Sequence, residues 1–359
     1  MDKEVTNILI LRFRRVGDAV LSSALCSSLK KSFPNAQIHY VLNEEIAPLF
    51  ENHPEIDRII TFRKEEMKSW RRYIAKVRSI VKTGKYDVIV DTRTTVKTLW
   101  FSLFSLSTPF RIGRKKNYNF ILHNYRINND FDGKENEVDS TLRLLSPLEK
   151  TYKIHYDPHF KLYVTPREKE AFRAKMESKG IDFTKPVVVC AVATRIAHKA
   201  WDMERMKLLL LRIIGQYDIQ LIFNYGGEAE KNAALRLHRA LDNHPNIFTN
   251  IEAHNLRELA AMMANSDFFL GNEGGPRHIS QALNICSFAI YPPHISKKQW
   301  LPNAGERFQG IETADISPEI DRKKLSYQEQ FDLITVDNVW EKLKPMLDTF
   351  LVPKPSTRV

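Results

Sequence analysis

The sequence predicts an α/β protein built from two halves, each a parallel sheet with helices between its strands. At 359 residues the chain exceeds one core of ordinary size, so two domains of roughly 150 to 180 residues are expected. Short β-branched runs alternate with helical apolar spacing on both sides of Pro186, the pattern of a parallel sheet. The loops that leave several of these strands hold glycines, carboxylates and cations, and in open α/β sheets ligands bind at that edge.

In order, Asn7 to Phe13 is a short aliphatic run that ends at Arg14-Arg15-Val16-Gly17-Asp18, and Ala19 to Ser32 carries helical spacing: strand, tight loop, helix. Gln37 to Leu42 and Asp57 to Phe62 read as further strands, and Tyr86 to Asp91 as a buried strand after a basic helix from Glu65 to Lys82. The next stretch is less regular. An apolar segment, Leu99 to Phe110, leads into a basic turn, Arg111-Ile112-Gly113-Arg114-Lys115-Lys116, then a polar stretch from Asn128 to Glu137 and a helix from Val138 to Leu145. Thr165-Pro166 opens a charged helix that ends near Gly180, so domains are drawn at 1–165 and 166–335. The alternation then repeats: strand Val187 to Val192, helix Met203 to Tyr217, strand Gln220 to Asn224, helices Glu228 to Leu241 and Leu256 to Ala264, strand Phe268 to Leu270, helix Pro276 to Leu283, strand Ser287 to Ile290. An amphipathic helix, Val336 to Leu351, opens a C-terminal portion, 336–359, and fits either domain. Two Rossmann-like domains facing across a cleft are the simplest assembly.

Composition narrows the function. With 43% hydrophobic and 27% charged residues the chain reads as globular rather than disordered or fibrous. Met1-Asp2-Lys3-Glu4 and the short apolar run behind it suit a first strand better than a signal peptide, and Arg212, Gln216 and Asp218 interrupt the most apolar later stretch. A cytoplasmic protein without a membrane span is expected. Cys26, Cys190 and Cys286 are odd in number and far apart, which favours buried free thiols. The net charge of +11 predicts an anionic partner: nucleic acid, an acidic membrane face or a phosphorylated molecule. No nucleic-acid-binding signature accompanies the basic residues, so phosphorylated small molecules or lipids are favoured.

Four loops carry the chemistry. Gly17 allows close backbone approach to a ligand and Asp18 stands at a helix start, where it serves either as a cleft carboxylate or as an N-cap; without G-x-G-x-x-G this is no dinucleotide fingerprint. Thr194-Arg195-Ile196-Ala197-His198-Lys199-Ala200-Trp201 follows a buried strand with a hydroxyl and cations suited to a diphosphate, or with an ordinary solvated loop. In Leu270-Gly271-Asn272-Glu273-Gly274-Gly275-Pro276-Arg277-His278, Pro276 fits the first helical position and the glycines let N–H groups face an anion. Tyr225-Gly226-Gly227-Glu228-Ala229-Glu230 offers carboxylates for ribose hydroxyls or for helix capping. Asp130-Phe131-Asp132 matches a metal-binding D-x-D but lies in a polar turn, so no metal is expected.

Taken in order, Gly17-Asp18 with Phe33-Pro34-Asn35-Ala36, Tyr86 to Asp91 with Lys97, Lys199-Ala200-Trp201, Gly226-Gly227 and Asn272 to His278 resemble glycosyltransferase family 9, the ADP-heptose:lipopolysaccharide heptosyltransferases. The resemblance implies the two-Rossmann GT-B fold and an inverting transfer of heptose from ADP-heptose that needs neither metal nor other cofactor. It implies Asp18 as general base. Donor contacts would come from Thr194, Lys199, Glu228, Glu230, Glu273, Gly274, Gly275, Pro276 and His278. Arg15, Arg63, Lys64, Arg111 and Arg114 would meet an anionic glycolipid acceptor, with the enzyme peripheral at the inner-membrane face. Two positions depart from the family pattern: Glu273, with Gly274 beside it, replaces the usual Asp, and Val192-Ala193 replaces the Pro-Gly before Lys-x-Trp. A sugar-nucleotide epimerase of similar fold and a non-catalytic nucleotide- or glycolipid-binding protein are the alternatives.

Overall fold

A computed structural model describes residues 4–128, 135–317 and 324–351. The chain divides into two compact units, Met1–Tyr163 and Val164–Val359, two residues before the expected junction. The first holds the strands β1 (Asn7–Leu11), β2 (Gln37–Asn43), β3 (Arg58–Phe62), β4 (Val88–Asp91), β5 (Phe110–Arg114) and β6 (Tyr125–Ile127), all parallel, in the order β3-β2-β1-β4-β5-β6. The second holds β7 (Val187–Ala191), β8 (Gln220–Phe223), β9 (Ile247–Phe248), β10 (Phe268–Asn272), β11 (Cys286–Ile290) and β12 (Phe308–Ile311), also parallel, in the order β12-β11-β10-β7-β8-β9. Renumbered within the second unit, that order is the first unit's read from the other edge. Both are the 3-2-1-4-5-6 Rossmann order, in which the connection reverses direction between the first and fourth strands and opens a crevice at their carboxyl ends.

The central strands β1, β4, β7 and β10 are buried almost throughout, as expected where helices cover both faces of a parallel sheet. Leu9, Leu11, Val41, Ile60 and Ile89 pack with Tyr73, Val77 and Val81 of the helix Trp70–Gly84 in the first unit. In the second, Val188, Leu221, Phe223, Phe268 and Phe288 pack with Leu209, Leu210 and Ile213 of the helix Met203–Ile214. Val339, Leu343, Met346 and Leu347 of the last helix, Val336–Phe350, join that second core, so the C-terminal helix is part of the second unit rather than a separate appendage.

Three local expectations need correction. The expected basic turn from Arg111 is the strand β5, whose residues are all buried. The long basic helix breaks at Ser69, where the backbone is extended, into Lys64–Lys68 and Trp70–Gly84. The first helix divides into Val16–Ser22 and Ala24–Ser32, and the hydroxyls of Ser22 and Ser23 donate back to the Asp18 and Val20 carbonyls at the division. Asp130-Phe131-Asp132 lies outside the described residues.

Gly271 fixes how closely β10 approaches β7. Its φ is +142°, and a Cβ there would lie 2.4 Å from the Ala191 carbonyl oxygen. Gly271→Ala is therefore expected to lower folding stability by about 3 kcal/mol, read as a lower denaturant midpoint.

Candidate functional sites at the two switch points

In the first unit β1 and β4 end side by side, and their loops bring a carboxylate among cations. Asp18 sits in the first turn of the helix Val16–Ser22, inside it rather than at its N-cap, which is Arg15. Arg12, the residue after β1, is buried, and its guanidinium lies 2.8 Å from Asp18 Oδ2. It also donates to Thr92 Oγ1 at 3.3 Å, which ties the pair to the loop after β4. Among the described residues Asp18 Oδ1 accepts no hydrogen bond and is not sealed off, so one oxygen is held and the other is open. Arg14 and Arg15 both have positive φ, 66° and 57°, a backbone conformation that costs non-glycine residues on the order of 1–3 kcal/mol each and concentrates at functional sites. The side chains of Arg14, Arg15 and Arg93 have no hydrogen-bonding partner among the described residues. Arg93 is half-buried, and burial, with Arg12 as the next cause, lowers its pKa.

Behind this edge lies a buried polar cluster. Asp91, at the end of β4, accepts from the Arg93 and Thr94 N–H groups through Oδ1, at 3.1 and 2.8 Å, and burial pushes its carboxyl up to about 6. Its Oδ2 lies 3.7 Å from His123 Nε2. His123 Nδ1 accepts from Asn119 Nδ2 at 2.9 Å, and burial brings the ring down to about 4, so the imidazole is neutral at physiological pH.

The five arginines and lysines expected to meet an acceptor fall into two groups. Arg15, Arg63 and Lys64 are exposed where chain leaving β1 and β3 enters a helix, at the carboxyl edge of the sheet; Arg63 and Lys64 pair with Glu44 and Glu45 in solvent, where such pairs are weak and exchangeable. Arg111 and Arg114 are buried in β5. The Arg111 guanidinium donates to the carbonyls of Leu106, Thr108 and Leu122 at 2.6–2.9 Å, and Arg114 donates to the Ser140 carbonyl at 2.7 Å. Arg111 therefore braces the segment from residue 106 to 122 and is not placed to meet a ligand, a correction to its expected role. Burial lowers the pKa of Arg111, and that of Arg114 to about 10; Arg114 keeps one buried nitrogen, Nη1, without a hydrogen-bond partner among the described residues. Arg111→Met, which leaves three carbonyls unpaired, is expected to cost about 2–4 kcal/mol in denaturant unfolding while leaving acceptor KM unchanged.

In the second unit the switch point lies between β7 and β10. Asn272, the last residue of β10, donates to the Ala191 carbonyl at 3.0 Å and accepts the Trp201 N–H at 2.7 Å, clamping both ends of the loop from residue 192 to 200. The Trp201 ring is buried and donates to the Ile334 carbonyl at 3.0 Å. Within the clamped loop Lys199 is half-buried and its ammonium has no hydrogen-bonding partner among the described residues, while the Thr194 hydroxyl donates to the Ile196 carbonyl at 2.7 Å.

Gly274 is the N-cap of the helix Gly275–Ala282, which places Pro276 at the second helical position, one later than expected. The N–H groups of Gly275 and Arg277 belong to the first turn, which a helix leaves without intrahelical partners, and they lie at its positive end. Glu273 Oε1 lies 3.3 Å from His278 Nε2. Burial raises the Glu273 carboxyl, but the His278 hydrogen bond and the charges of His278, Arg277 and Lys199 outweigh it and hold the pKa below the ordinary glutamate value. Arg277 is fully buried and donates to Gln281 Oε1 and the Trp300 carbonyl, fixing the helix start against a neighbouring loop. After β8, Glu230 Oε2 accepts the Gly226 N–H at 3.0 Å and closes its own loop, whereas Glu228 is exposed at the first helical position.

Sequence reasoning assigned no role to Arg12, Arg93, Asn272 or Arg277. Among the described residues no helix is long and apolar enough to cross a membrane, no three His, Cys, Asp or Glu side chains are grouped to hold a metal ion, and the three cysteines are buried free thiols.

Fold and sites together define an α/β protein of the double-Rossmann class, with polar loops gathered at the switch point of each sheet. The profile of glycosyltransferase family 9 (heptosyltransferase) matches residues 74–332, and the chain belongs to that family; it is a glycosyltransferase. It is 24% identical over 293 residues to a lipopolysaccharide heptosyltransferase 1 of Campylobacter coli, covering 79% of this chain and 83% of the relative. A family 9 glycosyl transferase structure from Veillonella parvula superposes with a TM-score of 0.82 at 19% identity, covering 97% of this chain and 99% of that one. For the Escherichia coli ADP-heptose lipopolysaccharide heptosyltransferase II the TM-score is 0.73 at 19% identity, with 96% and 99% covered.

Proposed function

We propose that the chain transfers heptose, with inversion, from ADP-heptose to a lipopolysaccharide core or related anionic glycolipid at the cytoplasmic face of the inner membrane. The observation that carries the reading is Asp18, held by Arg12 through one oxygen and left open at the other beside three arginines whose side chains have no hydrogen-bonding partner among the described residues. The names of the relatives supply the donor and acceptor class.

In this reading the open oxygen of Asp18 takes the proton of the acceptor hydroxyl, whose oxygen attacks the anomeric carbon as the bond to the diphosphate breaks. Arg12 holds the carboxylate in place through its other oxygen. Arg14, Arg15 and Arg93, with Arg63 and Lys64 further out, meet the phosphates or carboxylates of the acceptor; a carboxylate left unneutralised there would repel Asp18. Lys199 and the N–H groups at Gly275 and Arg277 receive the charge that develops on the departing ADP, and Thr194 exchanges its bond to Ile196 for a phosphate oxygen. Gly274 allows the diphosphate to approach the backbone, and Pro276, which has no N–H to donate, sets the helix start. Glu228 takes the ribose hydroxyls, and Glu273, steadied by His278, takes hydroxyls of the sugar. Glu230 supports Glu228 by holding the loop before it. No metal or other cofactor takes part.

Thermal-shift titration with ADP-, UDP- and GDP-linked sugars tests the donor without needing an acceptor, because a ligand bound only by the folded chain raises stability by RT ln(1 + [L]/Kd). ADP-heptose is expected to raise the melting temperature most; a larger shift with a UDP- or GDP-sugar would overturn the donor assignment.

A further inference from the structure

The positive charge of this chain is confined. Residues 63–126 hold sixteen Lys and Arg against four Asp and Glu, a net charge of +12, whereas the whole chain carries +11. The same segment holds seven of the eleven exposed large hydrophobic side chains among the described residues: Trp70, Val96, Leu103, Leu106, Tyr118, Phe120 and Ile121. A solvated charged face would explain the first observation and scattered surface apolars the second, but neither explains their coincidence.

Several contacts bring Trp70, Lys97 and the segment bearing Phe120 and Ile121 together in one part of the first unit. The helix Trp70–Gly84 turns Tyr73, Val77 and Val81 to the core and leaves Arg71, Ala75, Arg78 and Lys82 outward. At its start the exposed Trp70 ring lies 6.1 Å from Trp100, which lies 5.7 Å from Phe104. Lys97 donates to the Met67 carbonyl at 2.7 Å and sits 6.0 Å from the Trp70 ring. Three residues earlier in the same loop, the Thr94 carbonyl accepts the Tyr118 hydroxyl at 2.9 Å, which anchors the segment bearing Phe120 and Ile121. Trp70 starts the second helix after β3, Lys97 lies after β4 and Tyr118 after β5, so all three stand at the carboxyl edge of the sheet, where Asp18 also lies.

We propose that this basic, aromatic-studded region docks on an anionic lipid bilayer. Basic side chains with Trp, Phe and Ile set among them suit an interface in which apolar groups enter the headgroup boundary and cations meet lipid phosphates. Nucleic acid would use the cations and aromatic rings but leave Val96, Leu103, Leu106 and Ile121 without a role. The proposal rests on the glycolipid reading for its choice of partner, and the two are separable by experiment.

The full chain is sedimented with vesicles of phosphatidylcholine, with and without phosphatidylglycerol, at low and high salt. Binding is expected only to the anionic vesicles and is expected to weaken with salt. Combined Arg71→Gln, Arg78→Gln and Lys82→Gln should weaken it by about a hundredfold, since each cation near such a surface contributes about 1 kcal/mol. Phe120→Ser with Ile121→Ser should also weaken it, without restoring it on lowering the salt. Both variants should melt like the parent and transfer sugar at the parent's rate to a delipidated core oligosaccharide in solution. Failure to bind anionic vesicles, parent-like binding by both variants, or binding to RNA but not to vesicles would overturn the docking surface. Loss of transfer to the soluble oligosaccharide by the parent itself would instead contradict the catalytic reading.

Discussion

Asp18→Asn is expected to lower the rate of sugar transfer by about 10³, within the roughly 10²–10⁴ contributed by a positioned general base. The amide keeps the size of the carboxylate and can still be braced through its oxygen by Arg12, which now lies 2.8 Å from Asp18 Oδ2. It cannot take a proton. Donor binding is assigned to residues of the second unit, so the thermal shift produced by ADP-heptose should persist in the variant. The measurement is steady-state ADP release with a heptose-free acceptor, beside a donor titration by thermal shift. A variant that retains the parent kcat would remove Asp18 from the chemistry. One that loses the donor shift as well would show a structural role instead.

The second large effect is expected at Lys199. This side chain is half-buried in a loop clamped by Asn272 and is close enough to Glu273 to lower its pKa. An ammonium held there, rather than in open solvent, stabilises charge that appears on the leaving diphosphate as its bond to the sugar breaks. Lys199→Ala should reduce kcat by roughly 10²–10³, the cost of removing one well-placed donor to developing negative charge. Because the diphosphate is already anionic in the donor, KM for ADP-heptose should rise too, by a smaller factor than kcat falls. Lys199→Arg should recover part of the rate, since charge is restored but a planar guanidinium replaces a compact, freely rotating ammonium. An unchanged kcat with only KM raised would assign Lys199 to donor binding alone.

Much of the fold was legible because the central strands of a parallel sheet are apolar on both faces and the helices between them are not, so Val187–Ala191, Gln220–Phe223 and Leu256–Ala264 stand out by period and length. β5 did not, because Arg111 and Arg114 give it the composition of a basic turn. Only the folded segment from residue 106 to 122 supplies the carbonyls that make a buried guanidinium tolerable. β9 and β12 were missed for another reason. Two to four residues at a sheet edge carry too little pattern to separate from loop.

The sites divide similarly. Glycines with a proline at a strand-to-helix junction mark a helix start from local sequence, and a helix does begin there, at Gly275 with Gly274 as its N-cap. Arg12 was hidden because it sits inside an apolar run that reads as strand, and its partners Asp18 and Thr92 are recognised only once β1 and β4 lie side by side. Asn272 holds the loop before Trp201 across 71 positions of sequence, a relation no local pattern encodes. Glu230, by contrast, was assigned to ligand binding when its carboxylate is engaged four residues back, at Gly226.

The most direct measurement is the mass spectrum of heptose-free lipopolysaccharide after incubation with the enzyme and ADP-heptose, with released ADP quantified in the same sample. The account predicts that the acceptor gains the mass of a heptosyl residue and that one ADP appears for each sugar added, with negligible ADP when acceptor is omitted. An isomerised donor with an unaltered acceptor, or no change in either while ADP-heptose is bound, would contradict it.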